Sequence, residues 1–546
     1  MEPNAVVYSS AIAACARADP PRIDTALNLL REAVDEKELP MSVVGYNTAL
    51  SACAQAGDWK NAINLLRRME EASSSKNSTA LQALVPAPDE VTYGTVFAAC
   101  ERGEQWELLL KNAQSMRDRN MELDVLSVTS CLHACQQLGL AKEALDFLEL
   151  MKTATTPSRK TSGWKRQGAK APLRGPDEVA YRMAISACAR GGEWREGLRL
   201  LREYSDILGK PANVVAYTAA ITGCEYAGEW KEAFALLSEM RSVGVEPNER
   251  TIAAVIGACA VACSKDDDQE SFSGDLPDAQ MSALRLLNAM KKDESVIAPN
   301  TQVYNAAIRV CAEACDAERA FDLLEEMEEQ DIPRTQFTYG SLMTACERVG
   351  DVESASKVFR KMKEDGVEPN EIIYGAAISC CRKANESERT LLLLRKMLQE
   401  KLSPNVATFN TVILAQSEKP TRKSMERAVL VYKAMKSKHT PSSSSPNRQT
   451  YNLLIRLFAS NGEPTIAESF LQKMREDDYV PDVGKSYAFI FTVLRVSYLN
   501  GSLTHACFMI ICRPVHSDCH RLRTSRTTNE GTPTDGIHAK GRLRLL

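Results

Sequence analysis

Apolar residues along this chain fall into two helical stripes, and the pair of stripes returns about every 35 residues. The pattern is clearest from Val214 to Asn248. With Val214 as position 1, Tyr217, Ile221 and Cys224 at positions 4, 8 and 11 line one face of a helix. Ala233, Leu236, Leu237 and Met240, at positions 20, 23, 24 and 27, have the i, i+3, i+4, i+7 spacing of a second amphipathic helix. Gly228 suits the left-handed backbone that ends the first helix, and Glu229 suits the positive N-terminus of the second. Gly244 and Pro247 stop the second helix. Each stretch therefore predicts a helical hairpin. A fixed period of this length predicts an all-α solenoid, because one hairpin cannot bury both stripes and must stack on its neighbours.

About twelve copies run from residue 5 to residue 482. They begin at Ala5, Val43, Glu90, Val125, Glu178, Val214, Glu249, Thr301, Gln336, Glu371, Val406 and Arg448. Extra residues near 73–86, 153–175, 262–280 and 437–446 carry Ser, charge, Pro or Gly without a helical period, which predicts loop insertions. Residues 1–4 look like the end of a partial repeat. Residues 483–512 predict a partial terminal repeat, and 513–546 an irregular, disordered tail.

Composition changes this picture little. The chain is 44% hydrophobic and 25% charged, rich enough in apolar residues to fold but, at 546 residues, too long for one compact core. A formal net charge of -4 gives no global basic signature, so any basic groove has to be local. The longest apolar run, Tyr487 to Leu499, is short and holds Arg495, so no membrane span is predicted. The second insertion carries Arg159, Lys160, Lys165, Arg166, Lys170 and Arg174. It reads as a solvated loop, with phosphate contact as the alternative. Asp266, Asp267 and Asp268 lack the alternating spacing of a calcium loop and read as linker.

Ten of the seventeen cysteines occupy position 11 of successive repeats: Cys15, Cys53, Cys100, Cys135, Cys188, Cys224, Cys259, Cys311, Cys346 and Cys381. That register predicts small apolar packing groups between helices rather than disulfides. Pairs four apart, such as Cys131 and Cys135, have no companion CxxC or HxxxH to complete a metal site, so neither a metal nor another cofactor is expected.

The repeat resembles the pentatricopeptide repeat: V-x-Y at the start, G near the middle, A-L-x-L-x-x-M in the second helix and G-V-x-P-N/D at the end. The tetratricopeptide repeat is a similar hairpin, but its Trp and Gly-Tyr signature in the first helix is absent. Trp59, Trp106, Trp194 and Trp230 all sit at position 17 and read as packing residues. The resemblance implies a right-handed superhelix, the first helices lining a concave face that reads single-stranded RNA at about one base per repeat.

What the resemblance implies about sites is carried over position by position. Residues 5 and 35 of a repeat contact the base edge. The pairs are Asn47 with Asp89, favouring U; Thr129 with Asp177, favouring G; and Thr218 with Asn248, favouring A. Asn410 with Asn447 implies a pyrimidine with C preferred, and Asn452 with Asp482 implies U. Asn305 with Thr335, and Ser9 with Ser42, leave the base open. The chemistry is coherent, since an Asn amide donates and accepts, an ionised Asp only accepts, and Thr has a rotatable hydroxyl. Position 2 supplies an apolar wedge between bases, at Val44, Leu126 and Val215 and also at Val6, Val91, Val179, Phe337 and Ile372. Arg250, Gln302 and Gln449 fit that role poorly. Repeats with Gly94, Gly340, Gly375, Arg182 or Ala253 at position 5 are expected only to space the RNA. Position 13 is basic at Arg17, Arg102, Arg190, Arg348 and Lys383, which predicts a row of phosphate contacts.

Three classes of function follow. One is a monomeric RNA-binding adaptor in organellar RNA processing, stability or translation, in a chloroplast or mitochondrion, recruiting processing or translation proteins or a nuclease or editing enzyme. Another is a protein-interaction scaffold. The third, an RNA-processing enzyme, is not expected: deaminase chemistry needs H-x-E with C-x-x-C, and neither occurs. No Arg/Ser-rich targeting segment precedes Ala5.

Overall fold

In the computed structural model, residues 3–74, 84–153, 175–265, 276–292, 298–418, 421–437 and 444–479 are described. Among them the regular structure is helical, with no strand. The chain divides into two compact bodies, one of residues 1–349 and 364–367 and one of residues 350–363 and 368–546. The middle of the second insertion, Asp482, the partial terminal repeat and the tail lie outside the described residues.

Each repeat within a body is a hairpin of two antiparallel helices, and the two helices of the ninth, Gln336–Val349 and Val352–Glu364, fall in different bodies. In the first body the leading helices are Ala5–Ala16, Val43–Ala56, Glu90–Arg102, Val125–Leu138, Glu178–Arg190, Val214–Ala227, Glu249–Lys265, Thr301–Glu313 and Gln336–Val349. In the second they are Glu371–Lys383, Val406–Glu418 and Arg448–Ser460. Every one starts at the first residue of its repeat. Position 35 of the preceding repeat is the reason. Asp89, Asp124, Asp177, Asn213 and Asn447 are N-caps, each with extended backbone and a side-chain oxygen accepting from the N–H three residues on. Position 15 ends the helix: Gly57, Gly139 and Gly228 take φ near +70°, a conformation open to glycine without steric cost.

Leading helices of neighbouring repeats pack against one another within each body, and the trailing helices of repeats one to eight, ten and eleven each pack between the leading helix of their own repeat and that of the next. The tyrosines at position 4 are fully buried in this layer, among them Tyr93, Tyr181, Tyr304 and Tyr374. Several of their hydroxyls reach carboxylates at the trailing helices: Tyr181 donates to Glu203 at 2.9 Å, Tyr217 to Glu239 at 3.0 Å and Tyr374 to Glu400 at 2.7 Å, while Tyr304 donates to the Gln330 amide oxygen at 3.1 Å and the Tyr46 hydroxyl is buried with no partner among the described residues. The hydrogen bond removes the penalty a bare phenol would incur in the core. In the second body the core runs from Ile378 through Phe409, Tyr451 and Phe458 to Met474. The position-11 cysteines are buried, Cys15 partly, and all are free thiols, as their register predicts. Trp59 closes against Gly103 of the next repeat, where a Cβ would lie 3.1 Å from its Cγ, and Trp106 packs on the ring of His133. These are packing contacts. No helix among the described residues is long and apolar enough to cross a membrane.

Candidate nucleic-acid interface

Residues 5 and 35 of one repeat are far apart in sequence, yet the hairpin brings them together at the boundary with the next. In repeat two the Asn47 amide donates to Asp89 Oδ1 at 3.1 Å. In repeat eleven Asn410 donates to Asn447 Oδ1 at 3.4 Å, and in repeat eight Asn305 donates to the Thr335 hydroxyl at 3.5 Å. Repeat six makes the link through an intermediary. Thr218 meets the hydroxyl of Thr251 at 2.7 Å, and Thr251 donates to Asn248 at 2.9 Å. Repeat four does not join its pair this way: Thr129 donates back to the Val125 carbonyl at 2.7 Å, and Asp177 caps the next helix through Ala180 N. Thr218 and Asn410 are buried rather than exposed, because the next leading helix covers them. Asn452 is half-buried, and its partner Asp482 lies outside the described residues.

Burial alone would raise the carboxyl pKa of Asp89. The bonds it accepts from the Thr92 N–H, from the Asn47 amide and from Val91 N outweigh that and hold it below the usual carboxylate range. It is therefore an ionised acceptor at neutral pH.

Position 2 is apolar and exposed in eight repeats, whereas beside the pairs of repeats eight and eleven it is Gln302 and Ala407. Val6, Val44, Val91, Leu126, Val179, Val215, Phe337 and Ile372 are all exposed, Val44 at 71% and Phe337 at 81%. Apolar side chains held in water at one fixed register are what a site for flat, partly apolar rings requires. Around repeat six the surface deepens into a cleft of about 290 Å³, lined by Val215, Thr218 and Asn248 together with Arg182, Arg190, Arg250 and Tyr226. Arg182, Arg250 and Tyr226 were not assigned to the site by sequence. Arg182 and Arg250 stand at positions 5 and 2, where the sequence predicts a spacer and a poor wedge, but both line the cleft. Tyr226, exposed at 58%, occupies the position 13 that is basic elsewhere.

The basic residues at position 13 divide in two groups. Arg102 Nη1 donates to the Ala54 carbonyl at 2.9 Å, and Arg190 Nη1 donates to the Gln136 carbonyl at 3.1 Å. Each thus caps the C-terminal end of the preceding repeat's leading helix, the negative end of its dipole. Arg348 pairs with Glu313. Arg17 and Lys383 are exposed, as Arg102 and Arg190 are, but make no such bond to a preceding helix among the described residues.

Models of the repeat match residues 44–73, 126–154, 179–205 and 449–479, a model of the PPR repeat family matches 212–261, and the pentacotripeptide-repeat region of PRORP matches 258–413. The chain belongs to the pentatricopeptide repeat family. A chloroplastic pentatricopeptide repeat-containing protein of Arabidopsis thaliana is 27% identical over 125 residues, 23% of this chain and 14% of that protein's length. The solved pentatricopeptide repeat protein PPR10 of maize superimposes with a TM-score of 0.55 and 17% identity, over 96% of this chain and 75% of that one. PPR10 in complex with an 18-nucleotide psaJ RNA element gives a TM-score of 0.37 and 20% identity, over 92% of this chain and 80% of that one.

Proposed function

We propose that this pentatricopeptide repeat protein is a sequence-selective, non-catalytic adaptor that binds single-stranded RNA along its leading-helix face. Acting as a monomer on organellar transcripts, it brings processing or translation factors to them. The observation that carries the reading is repeat two, where residues 5 and 35 meet at the repeat boundary and position 2 is the exposed Val44; residues 5 and 35 also meet in repeats eight and eleven. An unpaired base offers two flat faces and a hydrogen-bonding edge. The apolar residue takes a face and the polar pair takes the edge. In repeat two an ionised Asp89 and an Asn47 N–H offer one acceptor and one donor, matching uracil, whose N3–H donates and whose carbonyls accept. The chloroplastic relative supports an organellar setting, and the cleft at repeat six supplies positive charge for the phosphates despite the negative total.

Selection from a degenerate twelve-nucleotide RNA pool at moderate salt tests this. The expected result is U at the base facing repeat two, G at four, A at six, C or U at eleven and U at twelve. Thr218→Asn is expected to weaken the preference for A at repeat six and leave the others in place. A pool that emerges random, or no binding even at low salt, overturns the reading in favour of a protein scaffold.

A further inference from the structure

The hydrogen-bonding partner that organises each pair belongs to neither of its positions. It is the residue at position 3 of the following repeat. Thr92, Thr338 and Thr450 are fully buried under the pairs of repeats two, eight and eleven. Each donates its hydroxyl to the carbonyl of the position-5 asparagine: Thr92 to Asn47 Oδ1 at 2.7 Å, Thr338 to Asn305 Oδ1 at 2.6 Å and Thr450 to Asn410 Oδ1 at 2.7 Å. The same hydroxyls accept from the backbone N–H of position 35, at 3.1, 3.0 and 3.2 Å. A threonine oxygen that already accepts from the cap N–H has a single proton to direct, and the asparagine carbonyl is its nearest acceptor, ahead of Asp89 Oδ1 at 2.8 Å, Thr335 Oγ1 at 3.4 Å and Asn447 Oδ1 at 3.0 Å.

The amide orientation follows. The asparagine carbonyl is consumed below, one amide N–H goes to residue 35, and the second N–H remains for a base. Reversed, the amide of Asn47 would turn its oxygen toward Asp89 Oδ1, which itself only accepts. Asn447 Oδ1 imposes the same restriction on Asn410, because it is held in place by the N–H of Thr450.

We infer that the position-3 threonine is a specificity-determining positioning residue: it sets which edge of the position-5 asparagine amide faces RNA. The sequence carries a matching correlation. Asn47, Asn305 and Asn410, the position-5 asparagines whose following repeat is described, are each followed by threonine at position 3 of that repeat, as Thr218 is by Thr251, whereas Gly94, Thr129, Arg182, Ala253 and Gly340 are followed there by Ser127, Ala180, Ala216, Val303 and Ile373, and no threonine follows Asn452 at residues 483–486. Thr408, which follows Gly375, caps through Asn405 but has no amide to orient.

This inference rests on the proposed reading of RNA, and the experiment separates the two. Binding of RNAs that differ only at the base facing repeat two is measured for the full chain and for Thr92→Val, Thr92→Ser and Thr408→Val, each with a thermal melt. Preference of the unsubstituted chain for U over C at that base is expected to fall about three- to tenfold in Thr92→Val, the worth of one neutral hydrogen bond. Thr92→Ser restores it. Thr408→Val, which loses comparable capping groups, lowers the melting temperature without changing any base preference. Thr450→Val repeats the test in the other body, where U is expected to gain on C at repeat eleven, so that misfolding of one variant leaves the question decidable. Undiminished discrimination in folded Thr92→Val and Thr450→Val overturns the positioning role. Absence of any preference in the unsubstituted chain instead overturns the reading of the pairs, and the inference with it.

Discussion

Glu225 fills the space that Gly257 leaves by lacking a side chain. A Cβ built on Gly257 would lie 2.7 Å from Glu225 Cδ and 3.2 Å from its Cγ. The carboxyl of one leading helix is thereby seated against the bare backbone of the next.

Substituting Gly257→Ala is expected to turn the end of that flexible side chain out of its seat at little cost, so that the helix advantage of alanine over glycine, about 0.5–1 kcal/mol, leaves stability equal or slightly higher. Thermal or denaturant unfolding measures it. Glu225→Ala, which empties the seat, should enlarge the gain, and strict additivity of the two substitutions would show that the contact does not matter.

The same carboxyl has a raised pKa. Burial is the main cause, and Arg309, 4.0 Å away, only partly offsets it. The native state therefore holds this proton more tightly than the unfolded chain does. Its contribution to stability is complete below the unfolded value, near about 4.3, and is lost as pH rises through the higher native value. Glu225→Gln should raise the melting temperature at neutral pH and flatten that segment of the pH–stability profile. An unchanged melting temperature at both pH 4 and pH 7 would argue against the burial cost.

The division among the position-13 residues makes opposite readouts expected. Arg17→Gln and Lys383→Gln should each lower the slope of log K against log salt for RNA binding by about 0.7, with little change in melting. Arg102→Ala should cost about 0.5–1.5 kcal/mol of stability, the worth of one hydrogen bond from an exposed side chain to the Ala54 carbonyl. Titration of binding across salt, alongside a melt of each variant, separates the two groups.

Repeat eight shows a third kind of expectation. Its position 15 holds Cys315 at φ +58°, where repeats two, four and six hold glycine. Cys315→Gly should stabilise the protein by about 0.5–1 kcal/mol by relieving that left-handed backbone. Cys315 is also exposed, while Cys53 and Cys100 are buried, with thiols that burial pushes up to about 12 and about 11. Mass spectrometry after brief alkylation of native protein should find Cys315 labelled well before those two.

Packing was legible in the sequence wherever it depends on period alone. Tyr217, Cys224, Leu237 and Met240 lie on the inner faces that a spacing of 3.6 residues assigns them, and the leading helices begin where the repeats do. What escaped was set by contacts across repeat boundaries. Arg102 and Arg190 share a register with Arg17, but only the stacked structure shows their guanidinium groups against the carbonyls of the preceding helix. Position 35 could be read only as a reading residue, because its cap role depends on an N–H that comes three residues later in the chain. Thr92, Thr338 and Thr450 were counted in neither the core nor the site. A threonine at the third position of a helix carries no apolar periodicity, and its importance comes from the asparagine it meets more than 30 residues away.

The caps at position 35 also limit the vocabulary in which such a protein can be written. Asp89, Asn248 and Asn447 hold open the start of a helix with one oxygen while the rest of the side chain faces outward. Only aspartate, asparagine, serine, threonine and glycine begin helices well, and a change to alanine at such a place costs about 1 kcal/mol. A lysine or glutamine there would enlarge the alphabet of recognition but loosen the joint between two hairpins. The letters available at this position are thus those the helix will accept, and any redesign of specificity has to be spelled within them.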